Sequence, residues 1–322
     1  SITTGYSNSN VGMYAGYSIT TGNSNSNVGV YAGYGITTGY YNSNVGRDAG
    51  RSITTGNSNS NVGVGAGSSI TTGYYNSNVG VYAGYSITTG YSNSNVGVSA
   101  GRGITTGYSN SNVGVSAGSS ITTGYYNSNV GVYAGYSITT GYSNSNVGVS
   151  AGYGITTGYN NSNVGMNAGR FLADGVTALT TPTNCAYIGA ATKASADGVN
   201  AEIVFGYNAT GIGSNTTCIG TSSNTKTQIY GDIILDKTVT AAGTTGAQTI
   251  NKTCGSVNFA AGATSLVVTD SRVTTTSVIV ATVATNDTTM KTVLVVAAAG
   301  SFTITANAAA TAETRVNFIV IN

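Results

Sequence analysis

No histidine occurs anywhere in this 322-residue chain, so neither a Ser-His-Asp triad nor a Cys-His pair can form within it, and no imidazole is present to ligate a metal. What remains for chemistry is nine carboxylates, three cysteines and 23 tyrosines. Glycoside hydrolysis needs two carboxyl groups about 5 to 9.5 Å apart. Asp232 and Asp236, in G-D-I-I-L-D, are the best close pair, with Asp174, Asp197 and Glu202 near them in sequence. Four residues apart on a strand, the two would share a face at a separation of about 13 Å. That is too wide, so these are read as surface or turn carboxylates and no catalytic residue is assigned.

Cys185, Cys218 and Cys254 are odd in number and show no C-x-x-C spacing. Free buried thiols are the expectation, with a bridge between chains as the alternative. Glycine is abundant, yet no phosphate-binding or dinucleotide fingerprint occurs, and calcium-binding rolls need an Asp in every turn where the first 170 residues hold only Asp48. No cofactor or metal site is therefore assigned. The sequons at Asn160, Asn208, Asn215, Asn251 and Asn286 follow from a composition rich in Asn, Ser and Thr. Charged residues make up 6% of the chain and the net charge is +2, which leaves no basic surface for nucleic acid and none for acidic membranes. No apolar run of membrane-spanning length and no signal peptide is read, and because Ser1 opens directly on a repeat the chain is expected to be processed or part of something longer.

The elements that position these residues are set by repetition. From Ser1 to Arg170 a 17-residue phrase, S-I-T-T-G-Y-S-N-S-N-V-G-V-Y-A-G-Y, occurs ten times without a gap. A fixed short period is the signature of a solenoid, in which one unit buries its apolar face only by stacking on the next. Eleven of the seventeen positions never vary: I-T-T-G, N-S-N-V-G and A-G. Positions that accept Tyr, Arg, Asp or Ser in turn are read as solvent-facing; the invariant ones are read as interior or as backbone constraints. Val11, Val30 and Ala32 illustrate the apolar alternation of S-N-V-G-V-x-A, the period of a half-buried strand. S-I-T-T fits a second strand, and the Gly- and Asn-rich links between them fit turns.

Stacked at about 4.8 Å per coil, ten copies would span on the order of 50 Å. Equivalent residues then form ladders. Ile2, Ile19 and Ile36 are expected in one inner row and Val11, Val28 and Val45 in another; Asn8 and Asn10 are expected in amide ladders at the corners; Gly12 and Ala15 are fixed by packing. Twenty of the 23 tyrosines fall in this region. They are expected to pack on their own copies one coil away, or to offer stacking platforms for sugar rings. One Ile, one or two Val and an Ala per coil bury too little apolar surface to offset the ordering of seventeen residues, so a parallel homotrimer with a shared axial core is expected.

Residues 171–237 lose the period but keep the vocabulary: T-N-C-A-Y-I-G (Thr183 to Gly189) and E-I-V-F-G-Y-N-A-T-G-I-G-S-N-T-T-C-I-G (Glu202 to Gly220) are short strands between Gly and Asn. They are read as an irregular β-roll continuation, a neck. In residues 238–322, L-V-V-T, S-V-I-V-A-T-V, T-V-L-V-V, S-F-T-I-T and V-N-F-I-V-I recur at strand spacing and predict a C-terminal antiparallel β-sandwich knob. The fold class is thus all-β, a repetitive β-solenoid shaft over residues 1–170 with a terminal sandwich.

A-Y-I-G-A-A-T-K-A-S-A-D-G, I-V-F-G-Y-N-A-T-G-I-G-S-N-T-T-C-I-G and I-Y-G-D-I look like the distal segments of bacteriophage tail fibres. The G-x-G-S-N-x-x-x-I-G rhythm is also similar to the head repeats of trimeric autotransporter adhesins, trimers of left-handed parallel β-rolls. The shaft phrase resembles the T-T-G-x-x-N-T-A-x-G-x-x-A motif of the same proteins. No heptad stalk occurs, and R-V-N-F-I-V-I-N (Arg315 to Asn322) is one amphipathic strand, which departs from the adhesin pattern and its barrel anchor. The resemblance implies a virion fibre, joined to other virion proteins at its N-terminal end, that presents a C-terminal knob to a host cell-surface glycan through loops of residues 171–322. A bacterial extracellular filament or surface adhesin is the alternative. An ice-binding solenoid is weaker, because the paired Thr residues are adjacent and only one of each can face out.

Overall fold

The computed structural model describes residues 3–224, 226–229 and 234–322. These contain strands, turns and bends and no helix. They divide into two compact units, Ser1–Thr227 and Gln228–Asn322.

The first unit is a parallel stack. Each repeat contributes one three-residue strand of sequence S-N-V: β1 (Ser9–Val11), β2 (Ser26–Val28), and so on at 17-residue intervals to β10 (Ser162–Val164). Every strand pairs in parallel with the next in exact repeat register, Ser9 with Ser26, Asn10 with Asn27 and Val11 with Val28. The sheet does not stop where the repeats do. β11 (Ala186–Ile188), β12 (Ile203–Phe205) and β13 (Thr217–Ile219) extend it to thirteen strands. The step lengthens to 24 residues between Ser162 and Ala186, returns to 17 at Ile203 and shortens to 14 at Thr217. The seven extra residues of the long step make a small excursion in which Leu172 N donates to Thr177 O, closed by Asp174 accepting from Val176 N and Thr177 N.

Three expectations change here. The I-T-T segment is a bend and not a second strand. In it the amides of Thr20, Thr21 and Gly22 all point at Thr37 O, at 3.0, 3.2 and 3.1 Å, and three donors converging on one carbonyl cannot form a strand ladder. The valine column faces outward: Val28 and Val45 are each 39% exposed, whereas Asn27 and Asn44, the residues before them on the same strands, are fully buried. With one strand per coil and a side-chain period of two, burying the asparagine necessarily turns its Ser and Val neighbours out. The Asn8- and Asn10-type amides, expected in ladders at the corners, lie inside the coil: Asn25 is 1% exposed.

The isoleucine row is where it was expected. Ile19, Ile36 and their seven successors to Ile155 form one continuous buried column; Ile2 lies outside the described residues. Ala32 and the alanines that follow it, equivalents of Ala15, are likewise buried. After Arg170 the interior changes composition while the sheet continues: Leu179, Cys185, Tyr187, Ala194, Val199, Val204 and Ala209 form a second, mixed cluster.

The second unit holds two four-stranded sheets. Its strands are β14 (Lys237–Val239), β15 (Gln248–Thr249), β16 (Cys254–Phe259), β17 (Ser265–Thr269), β18 (Val278–Val283), β19 (Val293–Ala298), β20 (Ser301–Ala306) and β21 (Thr314–Ile321). The orders are β14-β16-β21-β18 and β15-β17-β20-β19. Most pairs are antiparallel, but β14 with β16 and β15 with β17 are parallel, so both sheets are mixed. Alternate residues of both sheets meet in one cluster that includes Val257, Phe259, Leu266, Val268, Ile304, Val316 and Val320. Phe302 and Phe318 join the sheets edge to face, with ring centroids 5.0 Å apart.

Candidate functional site: stacked side-chain ladders

Two asparagine ladders run through the repeats, and their chemistry explains which positions cannot vary. In the first, Asn42 Nδ2 donates to Asn25 Oδ1 at 3.1 Å and to Gly56 O at 2.9 Å, while Asn42 N donates to the same Asn25 Oδ1 at 3.0 Å. Each amide of this column thereby uses both hydrogens and both lone pairs inside the stack, so it is buried without an unsatisfied group. In the second, Asn44 Nδ2 donates to Asn27 Oδ1 at 2.8 Å, and the pattern recurs coil by coil. Space for this second amide comes from the glycine of A-G. At Gly33, with φ of 57°, a Cβ would lie 2.0 Å from Asn27 Oδ1. Asn10-type and Gly16-type positions are thus one unit, and neither varies.

Both ladders end at β10, in different ways. Asn161 Oδ1 accepts from Cys185 N at 3.0 Å. Asn163 Oδ1 is buried and has no partner, because Tyr187 stands at the next rung. The hydroxyl of Tyr187 turns instead to Glu202, donating to Oε2 at 2.9 Å, while Gly213 N donates to Oε1 at 2.9 Å. Glu202 is fully buried, held by these donors and by Ser195 N. Burial, and after it the neighbouring Cys185 and Glu202, push the Tyr187 phenol well above its ordinary range. Burial likewise raises the Cys185 thiol, so this cysteine is protonated and unreactive at neutral pH. No disulfide joins Cys185, Cys218 and Cys254.

The remaining carboxylates serve as local acceptors. Asp232 lies outside the described residues, and Asp236 pairs with Lys252. Asp174 is lowered by hydrogen bonds from the Thr177 hydroxyl and the amides of Val176 and Thr177. At Asp197 burial raises the carboxyl, but the Thr180 hydroxyl and the amides of Thr181 and Thr180 outweigh it and the net shift is downward. In the second unit Asp287 ties two loops together: Met290 N and Thr289 N donate to Oδ1, and Thr311 N and the hydroxyls of Thr311 and Thr314 donate to Oδ2. The Met290 amide leads the bonds that hold this carboxyl far below the usual range. Among the described residues no group of three metal-ligating side chains comes together.

The tyrosines form the outer ladders. Tyr74, Tyr91, Tyr108, Tyr125, Tyr142 and Tyr159 make one uninterrupted column of six rings, with centroids 4.8 to 5.0 Å apart and planes within 2° to 7°. Tyr75 and Tyr126 abut it edge-on. Shorter stacks join Tyr14 to Tyr31, Tyr17 to Tyr34 and Tyr136 to Tyr153. Each ring covers the face of its neighbour, so the column offers solvent its edges and hydroxyls and withholds the faces on which a sugar ring would stack. Desolvation by the neighbouring rings, then repulsion among adjacent phenolates, raises Tyr108 and Tyr142. Arg170 closes the repeat region between the rings of Tyr153 and Phe171, 4.6 Å from each centroid.

Sequence reasoning missed the backbone at two variable positions. Ser7, Ser24, Tyr41 and their equivalents, and Tyr14, Tyr31, Asp48 and theirs, adopt φ between 53° and 61°, a region that favours glycine. The signal was Gly65 appearing among Tyr, Ser, Asp and Asn at one of them. Comparison of the chain with protein-family models, with curated proteins and with solved structures found no match.

Proposed function

We propose that this chain is a structural fibre protein of a virion, similar to a phage tail fibre, whose repeat unit serves as a stiff shaft and whose distal part attaches to a host-surface glycan. The observation that carries the reading is the thirteen-strand parallel stack, locked by internal amide ladders and almost free of charge, joined to a second unit with its own core. Such a stack resists bending because each rung is bonded to both neighbours. Its role is mechanical and not enzymatic.

The chain acts as a parallel homotrimer. Two features support self-association. The outward valine column, from Val28 through Val96 to Val164, makes an apolar stripe along the repeat strands. The edge strands β18 and β19 carry no charge and leave Val278 and Leu294 exposed, an arrangement that soluble monomers avoid. For the glycan, Tyr207 is the best platform: it is 78% exposed, has no ring partner among the described residues, and borders a groove lined by Thr221, Ser223, Asn224 and Lys226. Free aromatic faces beside hydroxyl and amide donors suit pyranose rings.

Solution mass of the full chain tests the oligomer: three times the chain mass supports it, and a well-folded monomer at micromolar concentration overturns it. Binding of the labelled full chain to intact host cells tests attachment. Loss of binding after carbohydrate stripping, and in Tyr207→Ala but not Tyr207→Phe, is the expected result; undiminished binding to stripped cells removes the glycan reading. A bacterial surface filament would show open-ended polymers in the mass measurement.

A further inference from the structure

We propose that the six-ring tyrosine column is a site of oxidative modification, in which a haem peroxidase and hydrogen peroxide couple tyrosines of successive coils into dityrosine and so staple the shaft covalently. Tyr108 lies 4.9 Å from both Tyr91 and Tyr125, with planes 6° and 2° apart. The rings are held by the lattice itself, because each backbone is bonded to the coils before and after it: Ser109 N donates to Tyr91 O, and Tyr126 N to Tyr108 O. Two radicals formed on neighbouring rungs are therefore already adjacent, and coupling is governed by proximity and not by diffusion. The ring edges, which carry the reactive carbons ortho to the hydroxyl, are the part that the stack leaves facing solvent.

The step balances. Each phenol gives up one electron and one proton to become a phenoxyl radical; the two radicals join ortho carbon to ortho carbon. The hydrogens on those carbons then move to the two oxygens, restoring both aromatic rings. Two electrons and two protons leave in all, and they reduce one peroxide to two waters. One staple forms for each pair of adjacent rungs, so six rings in a row allow up to three. The T-shaped neighbours Tyr40 and Tyr41, with planes at 81°, lie within one coil, and coupling there would staple nothing.

The test treats the dilute full chain with a haem peroxidase and hydrogen peroxide and sequences the cross-linked peptides by mass spectrometry. The expected products join residues seventeen apart within one chain, concentrated between Tyr74 and Tyr159, with minor products from Tyr17–Tyr34 and Tyr136–Tyr153. The variant Y91F/Y125F/Y159F keeps six stacked rings but leaves no two phenols stacked on one another within the column; the edge contacts Tyr74–Tyr75 and Tyr108–Tyr126 remain, and their products are told apart because they join residues one and eighteen apart. In it the products from the column fall at least about tenfold, while those from Tyr17–Tyr34 persist, which also shows that the variant is folded and the oxidant active. Cross-links spread evenly over all tyrosines, including Tyr207, or found only between chains, overturn the proposal. So does an unchanged yield in the triple variant. Because the readout is intrachain coupling, this result is independent of oligomeric state and of glycan binding.

Discussion

The two units solve the same problem, a β-sheet that must hide one face, with opposite chemistry. In Gln228–Asn322 two sheets close on each other and thirteen buried apolar residues from four of the eight strands and the loops between them share one cluster, with half-buried residues of β18 and β19 packed against it. In the repeats a single sheet closes on its own coil, and what fills the interior is one isoleucine column flanked by two columns of amides. An apolar cluster is cooperative, since each side chain touches many others. A ladder is linear, since each rung touches only the rungs before and after it. The difference teaches that stability in the repeats is a sum over neighbours, whereas in the second unit it is a property of the whole.

The largest expected effect separates these two behaviours. Phe302 is fully buried and meets Phe318 across the sheets, so Phe302→Ala should cost about 3 to 5 kcal/mol. The loss should appear as one cooperative shift in the unfolding of the second unit, with amide-exchange protection falling together in β16, β20 and β21. Protection that falls only beside residue 302 would break the contrast. The matching change in the repeats is Asn95→Ala. It strips Asn78 Oδ1 of its donor and Asn112 Nδ2 of its acceptor, two buried groups at about 1 to 3 kcal/mol each. Here exchange should quicken in the coils around residue 95 and stay slow near Asn27 and Asn146. Uniform loss along the stack would show that the ladder is more cooperative than its contacts imply.

How much of this was legible in the sequence follows from the same distinction. The ten-fold repeat fixed the register outright, because identical residues in identical coils can only align with one another. The isoleucine row was legible too, as the largest apolar residue that never varies. The valines misled for a physical reason: hydrophobicity alone assigns Val inward and Asn outward, yet a head-to-tail amide column leaves no polar group unsatisfied, and that closure exists only once copies stack. In the second unit β17 to β21 were legible from apolar alternation. β14, β15 and β16 were not, since K-T-V and Q-T are too short to show a period and C-G-S-V-N-F interleaves small and polar residues that become buried only beneath their neighbours. The tail of the first sheet was legible as short strands of an irregular β-roll continuation, but the register of those strands was not, because steps of 24 and 14 residues hide the period.

Acidification sharpens the contrast further. Among the described residues, Asp287 is the one acidic side chain that joins two loops of the second unit through five or more donors, and its folded value is depressed. A carboxyl depressed on folding contributes stability that is fully present above its unfolded value, about 3.9, and is lost as the pH falls below that toward the folded value. The thermal midpoint of the second unit should therefore drop between about pH 4 and pH 2, and Asp287→Asn should flatten that dependence. The repeats hold one acidic residue, the surface-paired Asp48, and their midpoint should barely move over the same range. A parallel fall in the repeats would mean that their stability depends on groups outside them, either Asp174 and Asp197 of the following coils, whose carboxyls are also lowered, or the second unit.

The smallest effect bears on backbone strain. Among the described residues of the second unit every positive φ belongs to a glycine, Gly243, Gly246, Gly262 and Gly300. In the repeats the same region is occupied by Ser, Tyr, Asp and Asn at two positions per coil. Left-handed backbone costs an ordinary residue roughly 1 to 2 kcal/mol, so the coil lattice must impose it on those residues against their preference. Ser99, at φ of 56°, sits where another copy has Gly65 at 65°, and its amide bonds Val81 O as Gly65 N bonds Arg47 O. Ser99→Gly relieves the strain but adds freedom to the unfolded chain, worth about 0.5 to 1 kcal/mol in the other direction. The net expectation is a gain of about 0 to 1.5 kcal/mol, read as slower exchange in the adjoining coils. Gly300→Ala, with open space around its Cβ, should instead lose about 1 kcal/mol from the whole second unit. If Ser99→Gly destabilises by a similar amount, the serine hydroxyl and not the backbone sets the preference at that turn.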